Sequence, residues 1–363
     1  MGAPRETPML LWVRRKRRAP AGAALDTVRF PPYTIGMGRR FLITGGAGFI
    51  GSHLAEQLLE RGNTVVILDD LSTGRVENLR NLRDRAGVQI VRDSVENEAT
   101  VGLLMSQCDA VFHLASAVGV QLIVDQPVRT IRTTIHGTEV VLEAANKFGR
   151  PVLITSSSEV YGKGARVPFS EEDDVVMGAT RHTRWCYAYA KGIDEFLGLA
   201  YHKQFGLPVT IVRLFNTVGP RQVGMYGMVL PRFVSWALAG KPLQVYGDGN
   251  QTRCFCHVSD VAGAIIALQA DTKHAGQVFN LGSDEEISII ALARRVIELC
   301  DSSSMIEAIS YEKAYGQAFD DLARRVPKLD RIRAAIGFSP RYKLDEIILA
   351  VAKEGGVKTE DVR

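Results

Sequence analysis

The chain of 363 residues contains no apolar run approaching the roughly 18–20 residues that a bilayer-spanning helix needs, so no membrane association is expected. Cysteine is scarce: five residues, at 108, 186, 254, 256 and 300. An odd, thin count in a chain this long does not read as a disulfide framework, and it points to a reducing, cytoplasmic compartment. Cys254 and Cys256, with His257 adjacent, lack the wider spacing and further ligands of a zinc site, so no metal is expected. An excess of one charge is also missing. Lys plus Arg number 44 against 40 Asp plus Glu, leaving +4, too little to argue for nucleic acid. No internal repeat or low-complexity tract follows Met37. The composition is 46% hydrophobic and 23% charged, as in ordinary globular domains, and the length suits two domains or one large α/β unit.

Residues 1–36 stand apart. They are rich in Pro, Ala and Arg, include the basic run Arg14–Arg18, and show no sustained periodicity. Met9–Val13 is too short an apolar stretch for an anchor or a signal core. The segment reads as a disordered tail or as translation assigned too far upstream, with Met37 as the start.

From Arg40 the pattern is regular. A short apolar run ending at Thr44 leads into Gly45-Gly46-Ala47-Gly48-Phe49-Ile50-Gly51; Leu54, Ala55, Leu58 and Leu59 then recur at helical spacing, and Thr64–Leu68 is β-branched and apolar. This is strand, glycine turn, helix, strand, a βαβ unit. Further buried strands are predicted at Val88–Val91, Ala110–Leu114, Pro151–Thr155 and Val209–Leu214, with helices over Thr134–Phe148 and Tyr189–Phe205. The alternation predicts an α/β fold, a Rossmann doubly wound parallel sheet. After about Asn216, Gly and Pro punctuate the chain more often. We therefore divide it into the tail 1–36, a dinucleotide-binding domain 37–215, and a smaller substrate-binding lobe 216–363 from which the chain can cross back to the sheet.

Gly46-x-Gly48-x-x-Gly51, with its variant Gly45-x-x-Gly48-x-x-Gly51, is the dinucleotide fingerprint in its required context. The glycines let backbone approach a pyrophosphate, and the following helix presents free N–H groups and a positive dipole end. Asp69, closing the second strand, is placed to accept from the adenosine ribose hydroxyls. Its charge would repel a 2′-phosphate, so NAD is expected over NADP. Asp93, after the third strand, is a candidate adenine contact, although a lone loop Asp is more often structural.

Tyr187 and Lys191 lie at i and i+4, hence on one helical face. An ammonium beside a phenol lowers its pKa, making a base that can take a proton from a sugar hydroxyl while hydride leaves the same carbon. Such pairs also occur on many solvated helices. The serine run 156–158 sits at a strand's C-terminal end, where open α/β sheets bind ligands.

Taken in order, Thr-Gly-Gly-Ala-Gly-Phe-Ile-Gly (44–51), Leu-Asp-Asp-Leu-Ser-Thr-Gly (68–74), His-Leu-Ala-Ser (113–116), Ser-Ser-Ser-Glu-Val-Tyr-Gly (156–162), Arg-Leu-Phe-Asn-Thr-Val-Gly-Pro-Arg (213–221) and Val-Tyr-Gly-Asp-Gly (245–249) resemble an extended short-chain dehydrogenase/reductase of the nucleotide-sugar epimerase/dehydratase family. The resemblance spans roughly Arg39 to Ile347. It implies NAD as cofactor, held by Gly45, Gly48, Phe49, Ile50, Gly51, Asp69, Asp93, Leu114, Ala115, Ser116, Tyr187 and Lys191. It implies Ser157 as the hydroxyl bonding the reacting group, Tyr187 as base and Lys191 on the nicotinamide ribose. Asn216, Arg253 and Arg325, with Ser157, are implied as contacts to the substrate, Arg253 as a clamp on its diphosphate and Arg325 as another basic contact. The family often forms homodimers through a four-helix interface.

The family's shared first step oxidises C4 of the sugar. Ser158-Glu159 stands where a 4,6-dehydratase would carry Asp-Glu. Ser-Glu-Val-Tyr-Gly, Arg184-Trp185 and Arg325-x-Pro327 are similar to UDP-glucuronate decarboxylases, in which a 4-keto group accepts the electrons released as carbon dioxide leaves C5. Glu159 would then shape or protonate the intermediate. Tyr-Ala-Tyr-Ala-Lys instead resembles a 4-epimerase of a UDP-hexose or UDP-hexuronate. The expectation is a UDP-sugar decarboxylase, with the 4-epimerase as first alternative and a catalytically silent NAD or nucleotide-sugar sensor as the alternative of another class.

Overall fold

The computed structural model describes residues 38–355 except 118, 120–122, 124, 165, 225–227, 311 and 314–322. The tail predicted over 1–36 lies outside the described residues. Strands β1 (Arg40–Thr44), β2 (Thr64–Leu68), β3 (Val88–Val91), β4 (Ala110–His113), β5 (Val152–Ser157), β6 (Val209–Leu214) and β11 (Val278–Leu281) form one seven-stranded parallel sheet in the order β11-β6-β5-β4-β1-β2-β3. The central strands are apolar along nearly their whole length because helices cover both faces. Helices α1 (Phe49–Glu60) and α6 (Val258–Gln269) close one face, around Phe41, Ile43, Leu54, Leu58, Ile265 and Phe279. Helices α2 (Glu98–Ser106), α3 (Pro127–Phe148) and α4 (Cys186–Phe205) close the other, around Leu42, Val66, Val141, Ile154 and Ile211.

Two helices begin earlier than their periodicity suggests. Helix α3 starts at Pro127, a residue whose fixed φ and missing N–H suit a first turn. Its first two turns carry Arg and Thr, so the apolar stripe becomes visible only near Thr134. Helix α4 starts at Cys186, straight out of a 3₁₀ turn over Thr183–Trp185. Both end on a left-handed glycine, Gly149 (φ 64°) and Gly206 (φ 71°), the conformation glycine adopts without steric penalty.

The second lobe has its own core of Leu230, Phe233, Leu243, Leu292, Val296 and Ile348. It comes from α5 (Val229–Leu238), α7 (Ile289–Leu299), α9 (Leu344–Gly355) and the parallel pair β8 (Leu243–Tyr246) and β13 (Ile306–Ile309). A short sheet joins β9 (Thr252–Cys254), β12 (Glu286–Ser288) and β14 (Arg324–Arg325). The chain leaves the lobe through β10 (Cys256–His257) into α6 and β11 and then returns to it. Residues 258–281 therefore belong to the large sheet although they follow Asn216. The strand order reverses between β1 and β4, the switch point outside which such sheets bind ligands.

Candidate active site

A single cleft runs from this switch point between the sheet and the lobe. At one end lies the glycine turn. Gly45 adopts φ +71°, and a Cβ there would meet the Ala115 backbone nitrogen at 2.8 Å, so the loops after β1 and β4 touch at the crevice. A Cβ on Gly51 would sit 2.4 Å from the Gly45 carbonyl oxygen, and only hydrogen lets α1 start so close to the strand. Gly48 caps α1 with no side-chain hydrogen bond and no acid in the first turn. The turn is thus a backbone cradle at a helix N-terminus, the shape and polarity a pyrophosphate requires. Gly51→Ala is expected to abolish dinucleotide retention and lower stability by about 1–3 kcal/mol, read by absorbance of the purified chain and by thermal melting.

Asp69 also lines the cleft. The Ala47 N–H donates to its Oδ2 and the Leu71 N–H to its Oδ1, both at 2.9 Å. Burial raises its pKa against these two bonds. The carboxylate therefore braces the glycine turn and the loop after β2 while its edge faces the crevice. Asp93 is placed differently. Its carboxylate accepts from the Ser94 N–H, the Thr100 hydroxyl and the Asn97 amide, which holds the start of α2. Its neighbours Ser94 and Val95 line the cleft, so Asp93 braces the helix start at the edge of the crevice.

Leu114, Ala115 and Ser116 line the wall after β4, and Ser157, Glu159, Tyr187 and Lys191 line the floor. Ser157 ends β5, and its Oγ accepts from the Glu159 N–H at 3.2 Å. The Tyr187 phenol is hydrogen-bonded by the hydroxyls of Ser157 and Ser116. A buried brace fixes this floor. Glu195 of α4 accepts from Arg213 Nε and Nη2 of β6 at 3.0 and 2.7 Å and from Ser156 Oγ of β5 at 2.5 Å. The helix carrying Tyr187 is thereby tied to the strand carrying Ser157.

The electrostatics correct one expectation. Burial pushes the Tyr187 phenol well above its ordinary pKa, and the carboxylates of Glu159 and Asp194 add to it. The Lys191 ammonium lies 3.1 Å from Asp194 Oδ2, with both side chains buried.

Glu159 supplies a second correction. Its carboxylate meets Arg325 Nη2 at 2.7 Å and Arg184 Nη2 at 3.2 Å. Burial alone would raise its pKa, but Arg325 and Arg184, with Arg253 further away, outweigh burial and hold it below the usual carboxylate value. It is an ionised anchor at neutral pH, so it shapes the site and does not donate a proton. Arg325, expected as a basic contact to the substrate, is thus at the catalytic end. The pairing of β9 with β14 sets Arg253 beside it. Asn216 lines the same cleft and donates from Nδ2 to the Cys254 carbonyl at 2.9 Å, joining the end of β6 to the lobe.

Some lining residues were not singled out as site residues from sequence. Arg184 belongs to the 3₁₀ turn before α4, where its guanidinium lies 4.4 Å from the Trp185 ring centre; only the Arg-Trp pair hinted at it. Arg232 of α5 lies against the rings of Trp236 and Tyr246 and donates to the Tyr246 hydroxyl at 3.1 Å, at the lobe end of the cleft. Nothing local in the sequence connects residues 232 and 246.

The chain matches the family described as GDP-mannose 4,6 dehydratase over residues 42–351. It is 43% identical over 311 residues to a UDP-N-acetyl-α-D-glucosaminuronate decarboxylase of Bacillus cytotoxicus, covering 85% of this chain and 95% of that protein. It is 35% identical over 317 residues to UDP-glucuronic acid decarboxylase 1 of Arabidopsis thaliana, covering 86% of this chain and 69% of that one. The solved structure of the UDP-glucuronic acid 4-epimerase from Bacillus cereus, in complex with UDP-glucuronic acid and NAD, superposes with a TM-score of 0.78 at 26% identity, covering 87% of this chain and 98% of that one.

Proposed function

The chain belongs to the GDP-mannose 4,6 dehydratase family of extended short-chain dehydrogenase/reductases, NAD-dependent enzymes that remodel nucleotide sugars, and from that premise we propose that it decarboxylates a UDP-linked hexuronate. The observation that carries the reading is the charge at the catalytic end: three guanidiniums, Arg184, Arg253 and Arg325, act on one carboxylate, Glu159. Such a site favours a further anion, and guanidinium is the group suited to carboxylate recognition. The two decarboxylase relatives act on UDP-uronates by name.

Bound NAD supplies the hydride acceptor and later returns the hydride. Tyr187 takes the proton of the sugar 4-hydroxyl, which Ser157 orients. The resulting 4-ketone is β to the carboxylate on C5, so carbon dioxide leaves as its bonding electrons enter the ketone. The enolate then takes a proton at C5 from water, and as hydride returns to C4 the Tyr187 phenol gives its proton back to the 4-oxygen. Glu159 stays ionised and holds Arg184 and Arg325 in place around the reacting carbon. Incubating the purified chain with UDP-glucuronate and UDP-N-acetylglucosaminuronate, with mass spectrometry of the nucleotide sugars, tests this. A product lighter by carbon dioxide is expected, and the higher identity to the N-acetyl enzyme favours that substrate.

A 4-epimerase of the same uronates is the second reading, supported by the Bacillus cereus epimerase neighbour, because a cationic pocket suits any uronate. An isomer of unchanged mass would replace the decarboxylase with it. The five cysteines are free thiols, which supports a reducing, cytoplasmic setting, and among the described residues no helix is long and apolar enough to cross a membrane. A homodimer is supported by exposed Val128, Ile131, Ile193 and Phe196 on the adjacent helices α3 and α4. Phe196→Asp is expected to halve the mass seen by light scattering; an unchanged mass would remove this face from the interface.

A further inference from the structure

Beneath the catalytic floor lies a buried polar layer that the reaction as described does not use. Asp194 is fully buried on α4, one turn below Lys191, with its Oδ2 3.1 Å from the ammonium. Burial pushes its carboxyl up and the Lys191 ammonium opposes that; the nearby Thr138 hydroxyl of α3 donates to the Thr134 carbonyl at 2.8 Å. Thr138 Oγ1 lies 3.0 Å from His113 Nε2, and His113 Nδ1 lies 2.7 Å from the Thr44 hydroxyl. Burial, with Lys191 nearby, pushes His113 down to about 3, so the imidazole is neutral. On the other side the Ser116 hydroxyl joins Thr134 of α3 at 2.9 Å and reaches Tyr187. Among the described residues the layer therefore holds one cation, Lys191, and one anion, Asp194, next to the tyrosine.

We propose that Asp194 is a positioning residue of the reaction: it anchors the Lys191 ammonium beneath Tyr187 and, as its counter-charge, sets how far that ammonium favours the phenolate. This rests on Tyr187 being the base of the proposed function. A lysine at this position without a partner could turn toward any anion in the cleft, whereas the ion pair fixes its Nζ. The carboxylate acts on the phenol with the opposite sign to the ammonium, and Asp194 is one of the two carboxylates that raise Tyr187. The other, Glu159 of the turn after β5, is saturated by Arg184 and Arg325. Glu195, beside Asp194 on α4, is bound by Arg213 of β6, and His113 of β4 is neutral. Of the charged groups facing Tyr187 from α4, β4, β6 and the β5 turn, Asp194 is thus the one whose removal changes the tyrosine's field without dismantling another ion cluster.

The test compares wild type with Asp194→Asn and Asp194→Glu, as holoenzyme, in kcat/KM for a UDP-uronate between about pH 5 and pH 9, together with NAD affinity by calorimetry. Asp194→Asn is expected to shift the acid limb to lower pH by about one unit and to weaken NAD about tenfold. Asp194→Glu returns both toward wild type. A folded Asp194→Asn with a wild-type limb and wild-type NAD affinity overturns the proposal. If Asp194→Asn does not fold, Lys191→Met is compared with Lys191→Met/Asp194→Asn, which removes the pair as a unit. Equal NAD affinity in these two, with turnover equal or higher in the double variant because the carboxylate's own field on Tyr187 is gone, supports the role, and a further loss in the double variant overturns it. Should wild type convert no UDP-uronate, the proposed function falls, and the NAD affinities alone then decide the role of Asp194.

Discussion

Tyr187→Phe lowers kcat for a UDP-uronate by about a thousandfold, within the range for loss of a general base, and leaves KM and NAD retention near wild type. The variant deletes one oxygen and keeps the ring that fills the buried floor, so folding is preserved. A thousandfold loss corresponds to about 4 kcal/mol of transition-state stabilisation. The wild-type pH profile has a defined sign. Burial, Glu159 and Asp194 hold the phenol up, so the phenolate is scarce at neutral pH and kcat/KM rises with pH through the neutral range. The residual rate of Tyr187→Phe should lack that rise. Stopped-flow absorbance of the transiently reduced nicotinamide reads the first step directly. Wild-type amplitude and rate in the variant would remove Tyr187 from the mechanism.

The parts of the site legible in sequence are those built within one βαβ unit or one helix. The glycine turn is readable because tight approach leaves no alternative to glycine at Gly45 and Gly51. Tyr187 and Lys191 share a face because helix geometry places i and i+4 together. The doubly wound parallel sheet follows from the alternation of strands and helices. What was not legible depends on residues far apart in the chain. Glu159 reads as an acid available to donate until Arg184, 25 positions away, and Arg325 are seen against it. Arg325 lies on a strand of two residues, too short for any periodicity to mark, and its place comes only from pairing with β9. The bracing of the α2 start by Asp93 was not legible either, because the Thr100 hydroxyl that donates to it is seven residues on. Asp194 was visible at i+3 from Lys191, but such pairs usually decorate a solvated face. Only the packing of α4 against α3 and β5 shows that this one is buried.

The second large effect falls on Arg325. Replacing it with Met keeps the apolar stem, which packs along β9, and removes the charge. Two consequences follow from one geometry. Glu159 loses its nearer partner, the one at 2.7 Å, and is left on Arg184, with Arg253 further away, in a mostly buried site, so its pKa rises toward the ordinary carboxylate value. The cleft also loses one of the guanidiniums that make it attractive to a uronate. Truncating one member of a buried charge pair costs about 2–5 kcal/mol, so kcat/KM for a UDP-uronate should fall by two to three orders of magnitude, on the order of 3–4 kcal/mol. Sign follows from linkage: a carboxylate held below its unfolded pKa contributes stability above that pKa and loses it as pH falls through the folded value. Wild type should therefore melt above Arg325→Met at neutral pH, with the gap in melting temperature closing as pH falls. Glu159→Gln in the Arg325→Met background separates the two consequences. Removing the orphaned carboxylate should recover melting temperature without recovering turnover if Arg325 serves the substrate carboxylate. Recovery of both would make Arg325 a partner of Glu159 only, and the cationic pocket would no longer support a uronate over a neutral UDP-hexose.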